Sequence, residues 1–490
     1  MSKNLDYVPL KVKKPLDTNS LPKPVFAQNS SFLKIYWKSW ELAWEHVLYR
    51  EDSPQKQYID EAMTPDTLWI WDTLFMALFC KYNFTQFPGI ESLNNFYYII
   101  HDKKKHPAHI QHPDNPPFFA WVEYEYAKLT GDLERLKWVI QEKKYLQNHF
   151  NLIEKSRRYS LIPGCNIPMM VKKTKFGYTW SGTSSGMDNT PRARGKYWNI
   201  LWIDLISQQA LSAFYISHIA SLLGDASIQT QYFQSYLELK KLVDQFYWNE
   251  EDGIYYDINR FNPHKHNKVM TPASYWALLA KIANEDQAQR MVTHLQDPNM
   301  LGGFLPWPSI ARTDKDFLPQ GQYWRGSVWV PTSYMGTKGL EKYGYFDLAR
   351  STSHRLLDVM NQTFDEFEPH TIWEAYSPIA PQPATYKGDR RLVRPDFCGW
   401  SALAPISMFI ENIIGLYSID AFKKEIRWNL EKSYQGKQGI QRLRFGNVLT
   451  DIVYEEQKIE VRSNQPYSLV VNEHSFFDVH AGKNSYDIES

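Results

Sequence analysis

Cysteine is scarce in this sequence: 490 residues contain three, Cys80, Cys165 and Cys398, without paired spacing. They build neither a disulfide framework nor a zinc knuckle, and they fit a reducing compartment. Long apolar runs are missing too. No stretch approaches the ~18 residues of a membrane span. The first thirty residues carry Lys11, Lys13, Lys14, Pro15, Pro22 and Pro24 and lack the apolar centre of a signal peptide, so the chain as it stands is expected in the cytoplasm. Nor is there an excess of either charge. With 55 basic against 54 acidic residues, no strong field draws in phosphate backbones or anionic headgroups, and neither nucleic acid nor a membrane is an expected partner. No segment has the spacing of an Asp-rich calcium loop. No coiled-coil heptad or obvious apolar edge specifies an oligomeric state.

What is present is aromatic. Trp, Tyr and Phe make up 15% of the chain, with 18 Trp and 31 Tyr, enough to fill a large core and to offer flat faces with polar tips to a sugar. Residues 1–26 read as an extended arm rich in Lys and Pro. From Ser30 the spacing turns helical, with Phe32, Ile35, Trp37, Trp40, Leu42, Trp44 and Leu48 on one broad stripe. Further helices are expected over 66–82, 91–101, 117–130, 132–152, 197–223, 225–247, 272–283, 285–297, 327–343, 346–364 and 400–417. Asp225 and Asp347 near helix starts, and Gly131, Gly224 and Gly344 near helix ends, support these limits.

Pairs of helices separated alternately by short turns and long loops suggest a closed ring of helical hairpins, an all-α (α/α)6 toroid spanning 27–420. The long loops, 156–196, 249–271, 298–326 and 365–399, are rich in Trp, Tyr, Gly, Pro and carboxylates, and function is sought there. After 421 the texture becomes β-rich, as in Ile452-Val453-Tyr454 and Ile459-Glu460-Val461, so residues 421–490 read as a small C-terminal β appendage.

Two loop segments each present one carboxylate among glycines or aromatics. The first, Trp180-Ser-Gly-Thr-Ser-Ser-Gly-Met-Asp188-Asn-Thr-Pro-Arg192, lets the backbone approach a ligand closely, although an Asp there can also be a turn-former or helix cap. The second, Thr371-Ile-Trp373-Glu374-Ala-Tyr376-Ser-Pro378, sets Glu374 between aromatic rings, where desolvation can raise its pKa or an Arg can pair with it. A pair of this kind is what glycoside hydrolysis uses: an acid for the leaving oxygen and a base for water. Between them lies Gln322-Tyr323-Trp324-Arg325-Gly-Ser-Val-Trp329, where Arg325 either orients a carboxylate or a sugar hydroxyl, or closes a salt bridge. Upstream, Trp71, Asp72 and Phe75 share one helical turn, with Asp72 as sugar ligand or helix cap.

Taken together these segments resemble glycoside hydrolase family 63 and its bacterial relatives, the mannosylglycerate hydrolases included, and more distantly the trehalases, over residues 60–416. Ser185-Gly-Met-Asp188-Asn-Thr-Pro-Arg192 resembles the family's general-acid motif, Trp373-Glu374-Ala-Tyr376 its general-base segment, and Tyr323-Trp324-Arg325-Gly326 its substrate-binding segment. Trp71-Asp72, Pro116-Pro117 with Trp121, Trp202-Ile-Asp204-Leu205 and Phe397-Cys-Gly399-Trp400-Ser401 match in the same order. The amino-terminal β-sandwich of larger members is absent from this sequence.

The resemblance implies an inverting hydrolase acting on an α-linked glucoside or mannoside, with Asp188 as general acid and Glu374 as general base. The two carboxyl groups would then stand roughly 6.5 to 9.5 Å apart. Arg192 and Arg325 would hold the ionised partner or sugar hydroxyls. Trp71, Trp121, Trp180, Trp324, Trp329, Trp373 and Trp400 would bound the pocket, with Asp72, Phe75, Asp204, Tyr323 and Tyr376 also contacting substrate. No metal or organic cofactor is required, and the expected partner is a small oligosaccharide or glycoside. Two alternatives stay open: a sugar epimerase or isomerase, which needs imidazoles where the fourteen histidines are scattered, and a catalytically silent sugar-binding protein.

Overall fold

The computed structural model describes residues 10–12, 14–61, 66–388 and 390–488; the first nine residues of the expected arm and Lys13 lie outside them. The body is helical and the C-terminal region is β. Burial divides the helices into two kinds. Ile70–Cys80 is buried at every position, and Ile203–Leu222 on nearly all sides. Ala226–Phe246, by contrast, buries only Tyr232, Tyr236, Leu239, Val243 and Phe246, one stripe of an amphipathic helix. A helix apolar all round must be enclosed by others, whereas a striped one covers them from outside.

The enclosed helices pack in sequence: Ile70–Cys80 on Phe119–Thr130, that on Ile203–Leu222, then Trp276–Leu279, Val330–Glu341, and the turn Ser401–Leu403, which returns to Ile70–Cys80. Local chemistry sets the limits. Asp225 accepts a hydrogen bond from the Ile228 N–H, Asn284 and Gln287 form a capping box, and Gly131 ends its helix at φ 75°.

Three expected helices differ. The segment expected as one helix over 132–152 is Leu133–Lys137, a wide turn Trp138–Glu142 and Tyr145–Lys155, because Lys144 adopts φ 57° and interrupts the ladder. The 272–283 segment opens as a tight turn, Pro272–Tyr275, before Trp276–Leu279. The last helix is wide-wound over Ala404–Ile414.

The C-terminal strands form two sheets. One is ordered Ser418–Asp420, Glu425–Trp428, Tyr467–Val471, Ser475–Val479. The other runs Gln438–Phe445, Val448–Glu455, Lys458–Ser463, Gly482–Asp487. The expected extended arm supplies this second sheet with an edge strand: Lys23–Phe26 pairs antiparallel with Gln438–Phe445. Pro24 is tolerated there because an edge strand leaves one row of its groups unpaired.

Candidate active site

A cavity of about 250 Å³ opens where the enclosed helices begin. Its walls are Trp69, Trp71, Asp72, Asn115, Thr183, Gly186, Asp188, Tyr323, Tyr386, Lys387, Arg394 and Trp400. Trp69, Trp71 and Asp72 stand at the N-terminus of Ile70–Cys80, Asn115 just before Phe119–Thr130, and Trp400 just before Ser401. Three segments distant in sequence thus converge through the ends of rigid elements.

The loop carrying Asp188 is tied down from several sides. Asn115 donates to the Ser184 carbonyl (2.9 Å), and the Trp180 indole donates to the Asp114 carbonyl (3.0 Å). Asn189 accepts from the Trp324 N–H (2.8 Å) and donates to the Gln322 carbonyl (3.0 Å), clamping this loop to the next one. Gln322 and Tyr323 there adopt φ 41° and 68°, a left-handed conformation costly for residues with side chains and retained only under such constraint. At Gly186 (φ 79°) a Cβ would lie 2.9 Å from the Trp71 ring, so glycine is what lets loop and indole meet.

Asp188 is partly exposed to the cavity, and Lys387 Nζ lies 3.4 Å from its Oδ2. Burial pushes its carboxyl above the ordinary range, Lys387 pulls it down and Glu374 pushes it up; the balance is a raised pKa. Glu374 is fully buried and stands one layer behind the wall. Arg394 holds it through Nη2–Oε1 (2.7 Å) and Nε–Oε2 (3.1 Å), and Tyr323 Oη donates to Oε1 (2.9 Å). Burial, then the Glu374 carboxylate, keeps the Tyr323 phenol protonated. The Trp400 indole donates to the Glu374 carbonyl (2.9 Å), and the Trp373 N–H donates to the Tyr376 hydroxyl (3.0 Å). Two cavity-lining side chains, Tyr323 and Arg394, therefore join Glu374 to the cavity that Asp188 faces.

A second acidic layer lies close by. Arg394 Nη1 also reaches Glu61 Oε1 (3.2 Å). Burial, and then the Asp60 and Glu374 carboxylates, push Asp72 well above the usual carboxylate range against the pull of Arg394. A carboxyl that stays protonated in the folded protein, but ionises in the unfolded chain above about pH 4, weakens the fold increasingly as pH rises from that value towards its folded pKa. Asp72→Asn is therefore expected to stabilise the protein by about 1–2 kcal/mol near neutrality, with a smaller gain at pH 5 than at pH 8 in urea denaturation. Equal gains at the two pH values would show that Asp72 titrates normally.

Of the residues expected to meet substrate, the structure brings Trp71, Asp72, Asp188, Tyr323 and Trp400 to the cavity. Others are placed elsewhere. Arg192 and Asp204 are sealed in the interior, where Arg192 pairs with Asp204 (2.7 Å) and with Asp257, so they fasten the loop instead of contacting ligand. Arg325 pairs with Asp316 (3.0 Å), which takes it away from Glu374. Phe75 packs on Trp71 and Phe118, Trp121 on Phe118 and Trp276, Trp180 on Trp202, and Trp324 stacks on Trp329 at 4.1 Å. Trp373 and Tyr376 flank Glu374 from behind the wall.

The sequence reading missed Glu61, Trp69, Asn115, Tyr386, Lys387 and Arg394. The signal available for Arg394 was the demand of a buried Glu374 for a counter-ion from within its own loop, 365–399. A larger, open groove of about 670 Å³ lies between the arm, the first helix and the second sheet, lined by Trp37, Glu41 and Arg442, and none of the motif residues reaches it.

The sequence pattern of the mannosylglycerate hydrolase MGH1-like glycoside hydrolase domain matches residues 109–386, more than half the chain and including Asp188, Tyr323 and Glu374. An uncharacterized protein of Borreliella burgdorferi is 25% identical over 485 residues, 93% of this chain and 95% of its own length. A periplasmic trehalase of Escherichia coli O1:K1 / APEC is 25% identical over 187 residues, 38% of this chain. The GH63 mannosylglycerate hydrolase from Thermus thermophilus shares the fold at TM-score 0.57 and 16% identity, over 76% of this chain and 99% of that one. A sialidase superposes at TM-score 0.70 and 12% identity over 95% of this chain. The match spans 32% of the trehalase and 40% of the sialidase.

Proposed function

Because the chain belongs to the mannosylglycerate hydrolase MGH1-like glycoside hydrolase family, we propose that it cleaves a small α-linked glucoside or mannoside with inversion at the anomeric carbon. Asp188, protonated, gives its proton to the departing oxygen, and Glu374, ionised, takes one from the attacking water. The observation that carries this is the pair of carboxylates served by one cavity, the first in its wall and the second bonded to two wall residues, Tyr323 and Arg394. For Glu374 to accept a proton from water, Arg394 must turn from Oε2 as substrate fills the cavity. Its side chain, 32% exposed, has room to do so. Catalytic hydrogen bonds commonly reach their working geometry only in the complex.

Trp69, Trp71 and Trp400 supply faces for the sugar ring, and Asp72 an acceptor or donor for its hydroxyls. The indole N–H groups of Trp69 and Trp71 and the Asn115 Oδ1 have no partner among the described residues, which suits a hydroxyl-rich ligand. A compact acidic leaving group such as glycerate calls for a cation near the acid, and Lys387 supplies one. No histidine lines the cavity among the described residues, so the geometry lends nothing to an epimerase.

The cyclic packing of the enclosed helices, with striped helices outside, supports an (α/α)6 toroid for the body. The sheets support a β appendage over 421–490, with the arm as its edge. No helix among the described residues is long and apolar enough to cross a membrane. The three cysteines are unpaired, as a reducing cytoplasm would keep them.

The experiment is a panel of α-linked disaccharides and glycosylglycerates followed by proton NMR. Turnover with the β-anomer formed first is expected. An α-anomer formed first overturns inversion, and no turnover of any member overturns the α-glucoside or α-mannoside assignment.

A further inference from the structure

We infer that Lys387 is a positioning residue that biases the Asp188 carboxyl towards giving up its proton in the empty cavity and releases that bias when the leaving group of an incoming substrate takes over the ammonium. The inference rests on Asp188 being the general acid. A general acid must hold its proton when substrate is bound, yet a cation in contact with it favours loss of that proton. The contact here is 3.4 Å, longer than the roughly 2.7–2.9 Å of a tight charge-assisted bond, and the Lys387 side chain is 40% exposed. The ammonium lies over two rings, 5.2 Å from the Tyr323 centroid and 5.6 Å from that of Tyr386, which hold it at the cavity without burying it. It is thus poised to change partners.

The other charged groups acting on Asp188 have partners of their own. Glu374 repels its negative charge from behind the wall, Arg394 attracts it while committed to Glu374 and Glu61, and the Tyr323 phenol stays neutral. Lys387 is the contact that substrate can remove. In a reaction where Asp188 delivers its proton to the leaving oxygen, the leaving group lies on the Asp188 side of the bond, hence beside Nζ. Oxygens next to the scissile one, and a carboxylate most of all, draw the ammonium off Asp188, whose carboxyl then rises with burial and with the repulsion of Glu374. Substrate itself readies the acid.

The test compares Lys387→Met and Lys387→Arg with the unaltered protein in two measurements. In carbon-13 NMR of aspartate-labelled protein without substrate, with Asp188→Asn identifying the resonance, Asp188 should titrate about one pH unit or more higher in K387M and near its original position in K387R. In the pH profile of kcat/KM for the best substrate of the panel, the basic limb should move upward by a similar interval in K387M alone. The kcat limb, which reports the complex, should move less. An Asp188 titration unchanged in K387M, or shifted as far in K387R, overturns the inference. If D188N turns over normally, the general-acid assignment has failed and the inference falls with it. If D188N is inert while the K387M titration is unmoved, only the role of Lys387 is lost.

Discussion

Replacing Asp188 with Asn, or Glu374 with Gln, is expected to lower kcat by about a thousandfold or more while leaving the protein folded, the scale on which positioned acids and bases act. The two variants should differ in their structural side effects. Asp188 faces the cavity and its ion-pair partner is the half-exposed Lys387, so Asn costs the fold little. Glu374 is fully buried, and its oxygens take bonds from Arg394 and Tyr323. Gln keeps the shape but removes the charge that Arg394 balances, leaving that guanidinium to Glu61. E374Q should therefore melt earlier than D188N, and the loss of activity must be measured well below its melting temperature. Circular dichroism fixes the folded fraction and the NMR assay the rate. A rate near that of the unaltered protein in either folded variant removes that residue from the mechanism.

Why the carboxylates were legible in the sequence and their cations were not is a matter of range. Asp188 and Glu374 announce themselves locally, through glycine, proline and aromatic neighbours that mark a loop built for close approach. Lys387 and Arg394 sit in an ordinary basic run, Tyr386-Lys-Gly-Asp-Arg-Arg-Leu-Val-Arg394, where nothing tells which cation turns inward. That is decided by tertiary pairing, Glu374 N–H to Arg394 carbonyl and Val393 N–H to Ala384 carbonyl. Arg192 and Asp204 show the opposite failure: the motif singled them out along the chain, but a motif does not say which side of a loop a side chain faces, and both are paired in the interior.

In the fold, periodicity exposed the striped helices and sheer apolarity the enclosed ones. Lys144 in a left-handed conformation left no local trace. Nor did the pairing of Lys23–Phe26 with a strand more than four hundred residues away, which no window along the chain can register.

The largest expected loss of stability lies away from the cavity, at Arg192. Its guanidinium is 1% exposed, bonds both oxygens of Asp204 (2.7 and 3.0 Å), reaches Asp257 through Nε (2.9 Å) and Nη2, and lies 4.5 Å over the Trp202 ring. Such a pair adds little net stability over an apolar substitute. Removing the cation alone, however, strands two carboxylates where water does not reach, at a cost of about 3–5 kcal/mol. Arg192→Ala should lower stability by that amount in urea denaturation. The deficit should shrink between pH 8 and pH 5, because an unpaired buried carboxylate relieves its cost by taking a proton. Arg192→Met combined with Asp204→Asn and Asp257→Asn should recover much of the loss, since no stranded charge remains. Asp188 stands four residues before Arg192 on the same loop, so R192A should also lose activity at temperatures where it is still folded, which the neutral triple variant would restore only if the loop returns to its place. A change below about 1 kcal/mol in R192A, within the range of an exposed pair, would mean that this clasp does not hold the loop that carries Asp188.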